Sequence, residues 1–183
     1  MESSITKVYN QVAHYFSDAN LNWDGFMREK LALDDGWVDL RVLVTFNKLK
    51  QEVLEYMEEN DIEADDSKVV ETLNKILDEE CKRHNTLELL VVDPETIKIR
   101  RTVPYTRNNA WFDKTVHLSF GRKETTRDIL DLIKTKMGEY GRVDLIRTRK
   151  YFNKRGATRA DRYVPKGKFL VEFSTPEEAQ AAV

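Results

Sequence analysis

Wound at about 100° per residue, residues 5–16 place Ile5, Val8, Tyr9, Val12 and Phe16 on one stripe and Gln11, His14 and Tyr15 on another. The first stripe predicts an amphipathic helix packed on a core. The second holds residues one turn apart, mutual neighbours from which a folding chain gains little. A short turn at Ser17–Asp18 follows, and then Asp24 and Phe26. A flat aromatic beside a planar amide and a carboxylate is poor core material. It makes a good pocket for a stacked base and a sugar hydroxyl. Taken singly, each residue has a plainer reading: Phe26 as core, Asp24 as N-cap of a helix over 25–31, Gln11 and His14 as solvated helix surface.

Helical character continues to about residue 48, with a second turn at Asp34–Gly36. Next comes an acidic piece. Leu49, Val53, Tyr56 and Met57 form one helical stripe, and Val69, Leu73, Ile76 and Leu77 form another that opens after Asp66 and Ser67, both good N-cap types. NDIEADD between them reads as a solvated connection. The net charge of −2 hides a polarity along the chain. Residues 52–80 carry a dense run of Asp and Glu against only Lys68 and Lys75, whereas Lys and Arg dominate from Lys98 to Lys168. A polyanion would meet the second region and be repelled by the first.

A third piece alternates: Leu87, Leu89 and Val91 on one strand, Ile97 and Ile99 on the next, joined by Asp93-Pro94-Glu95-Thr96 as turn chemistry. Residues 102–112 have no period and read as a linker. The fourth piece runs strand (115–119), helix (about 125–137), strand (143–149), basic loop (150–165), strand (167–173) and a helix start near 176. That is the β-α-β-β-α order of an RRM. Its final strand is lacking, so the chain is expected to be a fragment of a longer protein.

Catalytic signatures are absent: there is no nucleophile elbow, phosphate loop, dinucleotide fingerprint or zinc-protease helix. Cys81 and His84 make one C-x-x-H, whereas a structural zinc site needs four ligands. A lone Cys also excludes an internal disulfide and fits a reducing compartment. No apolar run is long enough to cross a membrane, and no signal peptide opens the sequence. The expectation is a non-enzymatic binding protein without metal or cofactor.

The segment QVAHYFSDANLNWDGF (11–26), followed by GWVDLRVLVTFNKL (36–49), resembles the two signatures of the La motif. Similarity covers nearly the whole chain, apart from 50–68, which looks longer than the family's usual connection and reads as an insertion or an extended helix. The resemblance implies an α+β architecture. A winged-helix La motif would occupy 1–101, a linker 102–112 and a C-terminally truncated RRM 113–183. An ordinary helical domain with a stabilising hairpin is the alternative for the first piece.

It further implies recognition of RNA ending in uridylates with a free 3′-hydroxyl, as in RNA polymerase III transcripts and other small noncoding RNAs. The family role is to shield that end from exonucleases and to assist RNA folding. By resemblance, Gln11 reads a uracil edge, Tyr15 and Phe26 stack on bases, and Phe46 completes the aromatic floor. Asn47 and Lys48 follow the strand, and Asp24 accepts from the 2′- and 3′-hydroxyls of the last ribose. A 3′-phosphate would set a second negative charge against that carboxylate, and DNA would lack the 2′ partner. His14 stands where the family commonly has Tyr; imidazole stacks over less area and adds a titration near neutral pH.

In the RRM-like part, KGKFLVEF (166–173) puts Lys168 and Leu170 at the usual stacking positions, and VHLSFG (116–121) puts His117 there, so stacking on this sheet is expected to be weak. Ile146 matches an apolar contact that the family's first RRM lends from its second strand. Arg147, Arg149, Lys150, Lys154, Arg155, Arg159 and Arg162 suit phosphate tracking, or simply a solvated loop. The expected protein is a nuclear monomer with shuttling to the cytoplasm allowed, and with no membrane partner. A genuine La protein is favoured over a La-related protein of the seventh class dedicated to one RNA such as telomerase RNA. A winged-helix DNA-binding or protein-interaction module is a reading of a different class.

Overall fold

The computed structural model describes residues 3–83, 90–120, 127–158 and 162–183. Leu87 and Leu89 of the expected hairpin, His84, Gly121, the start of the helix expected at about 125, and Arg159 lie outside the described residues. The chain divides into two compact units, Met1–Arg107 and Asn108–Val183.

In the first unit the Ser3 side chain accepts the Thr6 N–H and starts α1 (Ser4–Phe16). Val8, Val12 and Phe16 are fully buried, and Ile5 and Tyr9 pack at the margin of the same core. Two short helices follow, each opened by a side-chain cap: α2 (Asp18–Leu21) by Ser17 and α3 (Gly25–Leu31) by Asp24. The turn over Asp34–Gly36 holds Asp34, Asp35 and Gly36 at positive φ. It feeds β1 (Val38–Asp39), which sequence periodicity does not show because two residues have no period. Then come α4 (Leu40–Leu43), α5 (Asn47–Glu59) and α6 (Asp66–Arg83).

Of the acidic stretch 50–68, residues up to Glu59 are helical in α5, 60–65 are not, and α6 takes over at Asp66. α5 buries Leu49, Val53 and Met57 on one face and keeps Glu55, Glu58 and Glu59 exposed on the other. Asp61 turns the chain at φ 54, and the Asp65 carboxylate accepts the N–H groups of Ser67 and Lys68 at the start of α6. Leu73, Ile76 and Leu77 of α6 close the core from the other side. Each side chain of this size contributes roughly 1.5–3 kcal/mol when fully buried.

β2 (Leu90–Asp93) and β3 (Lys98–Arg101) form the wing, and β1 adds to it in the order β1-β3-β2. Ile97 is not a strand residue as its alternation suggested. At φ 58 it ends the turn, while its side chain still packs on the core. Helices against a small antiparallel wing make the winged-helix arrangement. At the end of the wing the Arg101 guanidinium donates to the Phe16 carbonyl at 2.7 Å, and past it the Tyr105 hydroxyl donates to Asn22 Oδ1 at 2.7 Å, so this residue too lies on the first unit.

The second unit is RRM-like: β4 (Thr115–Ser119), α7 (Arg127–Met137), β5 (Val143–Phe152), β6 (Tyr163–Phe173) and α8 (Pro176–Ala181), with strands ordered β4-β6-β5. Val116, Ile133, Phe169, Val171, Phe173 and Ala179 form its core. The basic segment expected to be loop over 150–165 is strand at both of its ends, 150–152 and 163–165, while residues 153–158 between them are not strand. The ladder continues through Lys150↔Pro165, Tyr151↔Val164 and Phe152↔Tyr163 after a register shift at Arg149/Lys150. A bulge there breaks the two-residue alternation, and cations on both strands hide the rest of it.

Candidate nucleic-acid interface

Three helix boundaries bring three aromatic rings together in the first unit. Tyr15 comes from the last turn of α1, Phe26 from the first turn of α3, and Phe46 is the residue that opens α5. Phe46 is the hub: its ring lies 4.9 Å from Tyr15 and 5.8 Å from Phe26, edge-on to both. Such pairs each contribute about 0.5–1.5 kcal/mol beyond area burial. Phe46 and Tyr15 are half-buried against the core, whereas Phe26 is 46% exposed, so Phe26 is not the core residue its type alone would suggest. The Lys30 ammonium lies 5.2 Å from the Phe26 ring centroid and puts positive charge beside it.

Gln11 is not solvated helix surface: only 7% of it is exposed. Its side chain hydrogen-bonds the Tyr15 hydroxyl, which also meets the Leu49 backbone, and burial raises the Tyr15 pKa above its ordinary value. The amide is therefore fixed behind the ring of its neighbour one turn on. His14 is half-buried, with its ring 6.2 Å from Tyr15.

Asp24 fulfils its capping reading and remains available to a ligand. Oδ1 accepts the Met27 N–H at 3.0 Å, and Oδ2 accepts from the Asn20 amide at 3.3 Å. A carboxylate offers about four acceptor sites, so two donors hold its orientation without saturating it. Asn20 also donates to the Tyr15 carbonyl at 3.0 Å and so ties the acid to the helix that carries the aromatic ring. Sequence reading passed over Asn20. Its only signal was its place between two singled-out residues. Asn20→Ala should lower stability by about 1 kcal/mol through loss of both bonds, read by thermal melting; an unchanged melting temperature would show that they contribute nothing.

Asn47 and Lys48 stand in the first turn of α5, both exposed. Lys48 reaches toward Glu52 at 3.9 Å, and Asn47 lines a cleft of about 620 Å³ with Arg41, Lys50, Asp66 and Ile97. Thus Gln11, Tyr15, Phe26 and Phe46, with Asp24 beside them on the cap of α3, share one side-chain neighbourhood. Ile146 belongs to the second unit. It pairs with Val171, which is fully buried, and packs on that core. Its apolar surface is therefore largely committed to the helix-facing side of the sheet.

On the opposite face of that sheet Leu170 stands between His117 and Arg147, and Lys168 between Ser119 and Arg149. No Phe, Tyr or Trp ring occupies these rungs. Burial, and then the neighbouring Arg149, lower the Arg147 pKa below its ordinary value, while Glu172 opposes the shift. Cys81 is a half-buried thiol pushed up to about 11 by burial and by Asp78 and Glu80. Among the described residues no group of three His, Cys, Asp or Glu side chains could hold a metal ion, and no helix is long and apolar enough to cross a membrane.

Comparison with known proteins matches residues 8–75 to the La domain. The chain is 30% identical to the Lupus La protein homolog A of Xenopus laevis over 182 residues, 97% of this chain and 36% of that protein. It is 29% identical to La-related protein 7 of Mus musculus over 181 residues, 98% of this chain and 26% of the relative. The La protein homolog of Drosophila melanogaster is 44% identical over 69 residues, 37% of this chain and 15% of its own length. The chain thus spans about a third or less of these relatives.

Proposed function

Because this chain belongs to the La family, its first unit carrying the La domain, we propose that it binds single-stranded RNA by its 3′ end, selecting oligouridylate with free terminal hydroxyls. The observation that carries this reading is the aromatic cluster Tyr15–Phe46–Phe26 next to a carboxylate whose orientation two protein donors fix. Rings supply stacking surface at about 1–3 kcal/mol per base. An acceptor-only group beside them matches vicinal hydroxyls and repels a phosphate. Gln11 supplies a planar amide for a uracil edge, and His14 widens the stacking surface. Lys48 and Asn47 supply polar contacts along the strand.

In this reading residues 1–101 form the end-binding domain, 102–112 a linker and 113–183 an RRM in support. The protein shields the 3′ ends of small RNAs such as RNA polymerase III transcripts and aids their folding. It acts as a nuclear monomer that serves many transcripts, as a genuine La protein does. Fluorescence anisotropy at fixed salt, with a short uridylate RNA ending in 3′-hydroxyl or 3′-phosphate, tests the core of this. Tighter binding of the hydroxyl form is expected. Equal binding would reduce the protein to a basic surface that holds phosphates.

A further inference from the structure

β5 and β6 outrun the rest of their sheet. β4 pairs with β6 only as far as Ser119↔Lys168, whereas β5 stays paired through Phe152↔Tyr163. The Asn153 N–H continues the ladder to the Arg162 carbonyl at 2.7 Å, and Arg162 Nε donates to the Gly156 carbonyl at 3.0 Å. The outer rungs therefore form a two-stranded ribbon with no third strand beside it among the described residues.

At its end the rings of Phe152 and Tyr163, directly opposed and so on one face, lie 5.6 Å apart. They are 54% and 48% exposed. A cross-strand apolar contact contributes roughly 0.2–1 kcal/mol to such a ribbon. Two valines would supply it without presenting aromatic faces to water. Around the pair stand exposed Arg149, Lys150, Lys154, Arg155, Arg162 and Lys166, and described residues 146–158 and 162–171 include no carboxylate.

Cations that so outnumber the acids of this hairpin select a polyanion. Exposed ring faces select a planar base that is not already paired. We propose that this ribbon is a second RNA contact, stacking an unpaired internal base of single-stranded RNA between its aromatic pair and its flanking cations. This rests on the protein's being an RNA binder, as argued above. Among its described residues the ribbon has no carboxylate to accept from paired terminal hydroxyls, so it takes internal nucleotides and does not discriminate ends.

The test compares two probes on the whole chain: a four-nucleotide uridylate with a 3′-hydroxyl, and an unstructured 20-nucleotide RNA closed by a 3′-phosphate. Phe152→Val with Tyr163→Val keeps strand preference and the apolar contact and removes the ring faces. The double variant should bind the 20-nucleotide RNA about five- to 150-fold more weakly, the equivalent of one lost stack, and the short probe as wild type does. Independently of any variant, 5-iodouridine at an internal position of the long RNA should photo-crosslink to Phe152 or Tyr163. Wild-type affinity in the variant, no binding of the long RNA by the wild type, or crosslinks only elsewhere would overturn the proposal. Failure of end recognition reads separately, as equal binding of 3′-hydroxyl and 3′-phosphate forms of the short probe.

Discussion

Asp24→Ala is expected to narrow the preference for 3′-hydroxyl over 3′-phosphate RNA by roughly 10- to 150-fold, the equivalent of about 1.5–3 kcal/mol for hydrogen bonds to a charged acceptor. The same change removes the acceptor that caps α3, because Oδ1 takes the Met27 N–H, and should also lower stability by about 1 kcal/mol. Asp24→Asn separates the two roles. Asparagine is as good an N-cap as aspartate, so melting should stay near wild type. A neutral amide no longer repels a terminal phosphate and offers donors where the hydroxyls need acceptors. Competition binding with the two RNA ends, alongside thermal melts, measures both. If either variant kept the full discrimination of the wild type, Asp24 would be a helix cap and nothing more.

The second large effect concerns the rings. Phe26→Ala should weaken uridylate binding by about five- to 150-fold, one lost stack, and cost little stability because the side chain is 46% exposed. Phe46→Ala should weaken binding to a similar extent and also destabilise the unit. Phe46 is half-buried and in edge contact with both Tyr15 and Phe26, and a fully buried Phe→Ala change costs about 3–5 kcal/mol, so roughly half of that is expected here. Neither variant should lose the preference for a hydroxyl end, since Asp24 keeps both of its protein donors. Affinity and end discrimination thus separate by residue. Wild-type affinity in the Phe26→Ala protein would remove the ring from the site.

Much of this architecture is legible in the sequence because helical burial repeats. Val8, Val12 and Phe16, then Leu49, Val53 and Met57, then Leu73, Ile76 and Leu77 recur at the helical period, and all are buried. Periodicity also placed Gln11 and Tyr15 on one face and put Leu49, Val53, Tyr56 and Met57 on one helical stripe. It could not show that Gln11 is buried. Solvent exposure at an off-stripe position depends on what packs over it, and the neighbour of Gln11 is the Tyr15 hydroxyl held near the start of α5. β1 and the left-handed Ile97 were invisible for a related reason. Two paired residues and one turn residue carry no local pattern, and only the wing that β3 completes gives them partners.

The outer ribbon shows the same limit. Its residues read as loop because a bulge at Arg149/Lys150 resets the alternation, yet cross-strand hydrogen bonds form regardless of side-chain pattern. Sequence alone therefore determined the helices, the two-part organisation of its patterns, and the residue types able to stack on bases and to accept from hydroxyls. Only the tertiary structure decided that Phe46 stands between Tyr15 and Phe26, that Asn20 links Tyr15 to Asp24, and that Ile146 packs inward. The physical reason is one of range. A helix or a turn is written by neighbours three or four residues apart, whereas Phe46 meets Tyr15 and Phe26 only after separate helix boundaries have been brought together by a shared core.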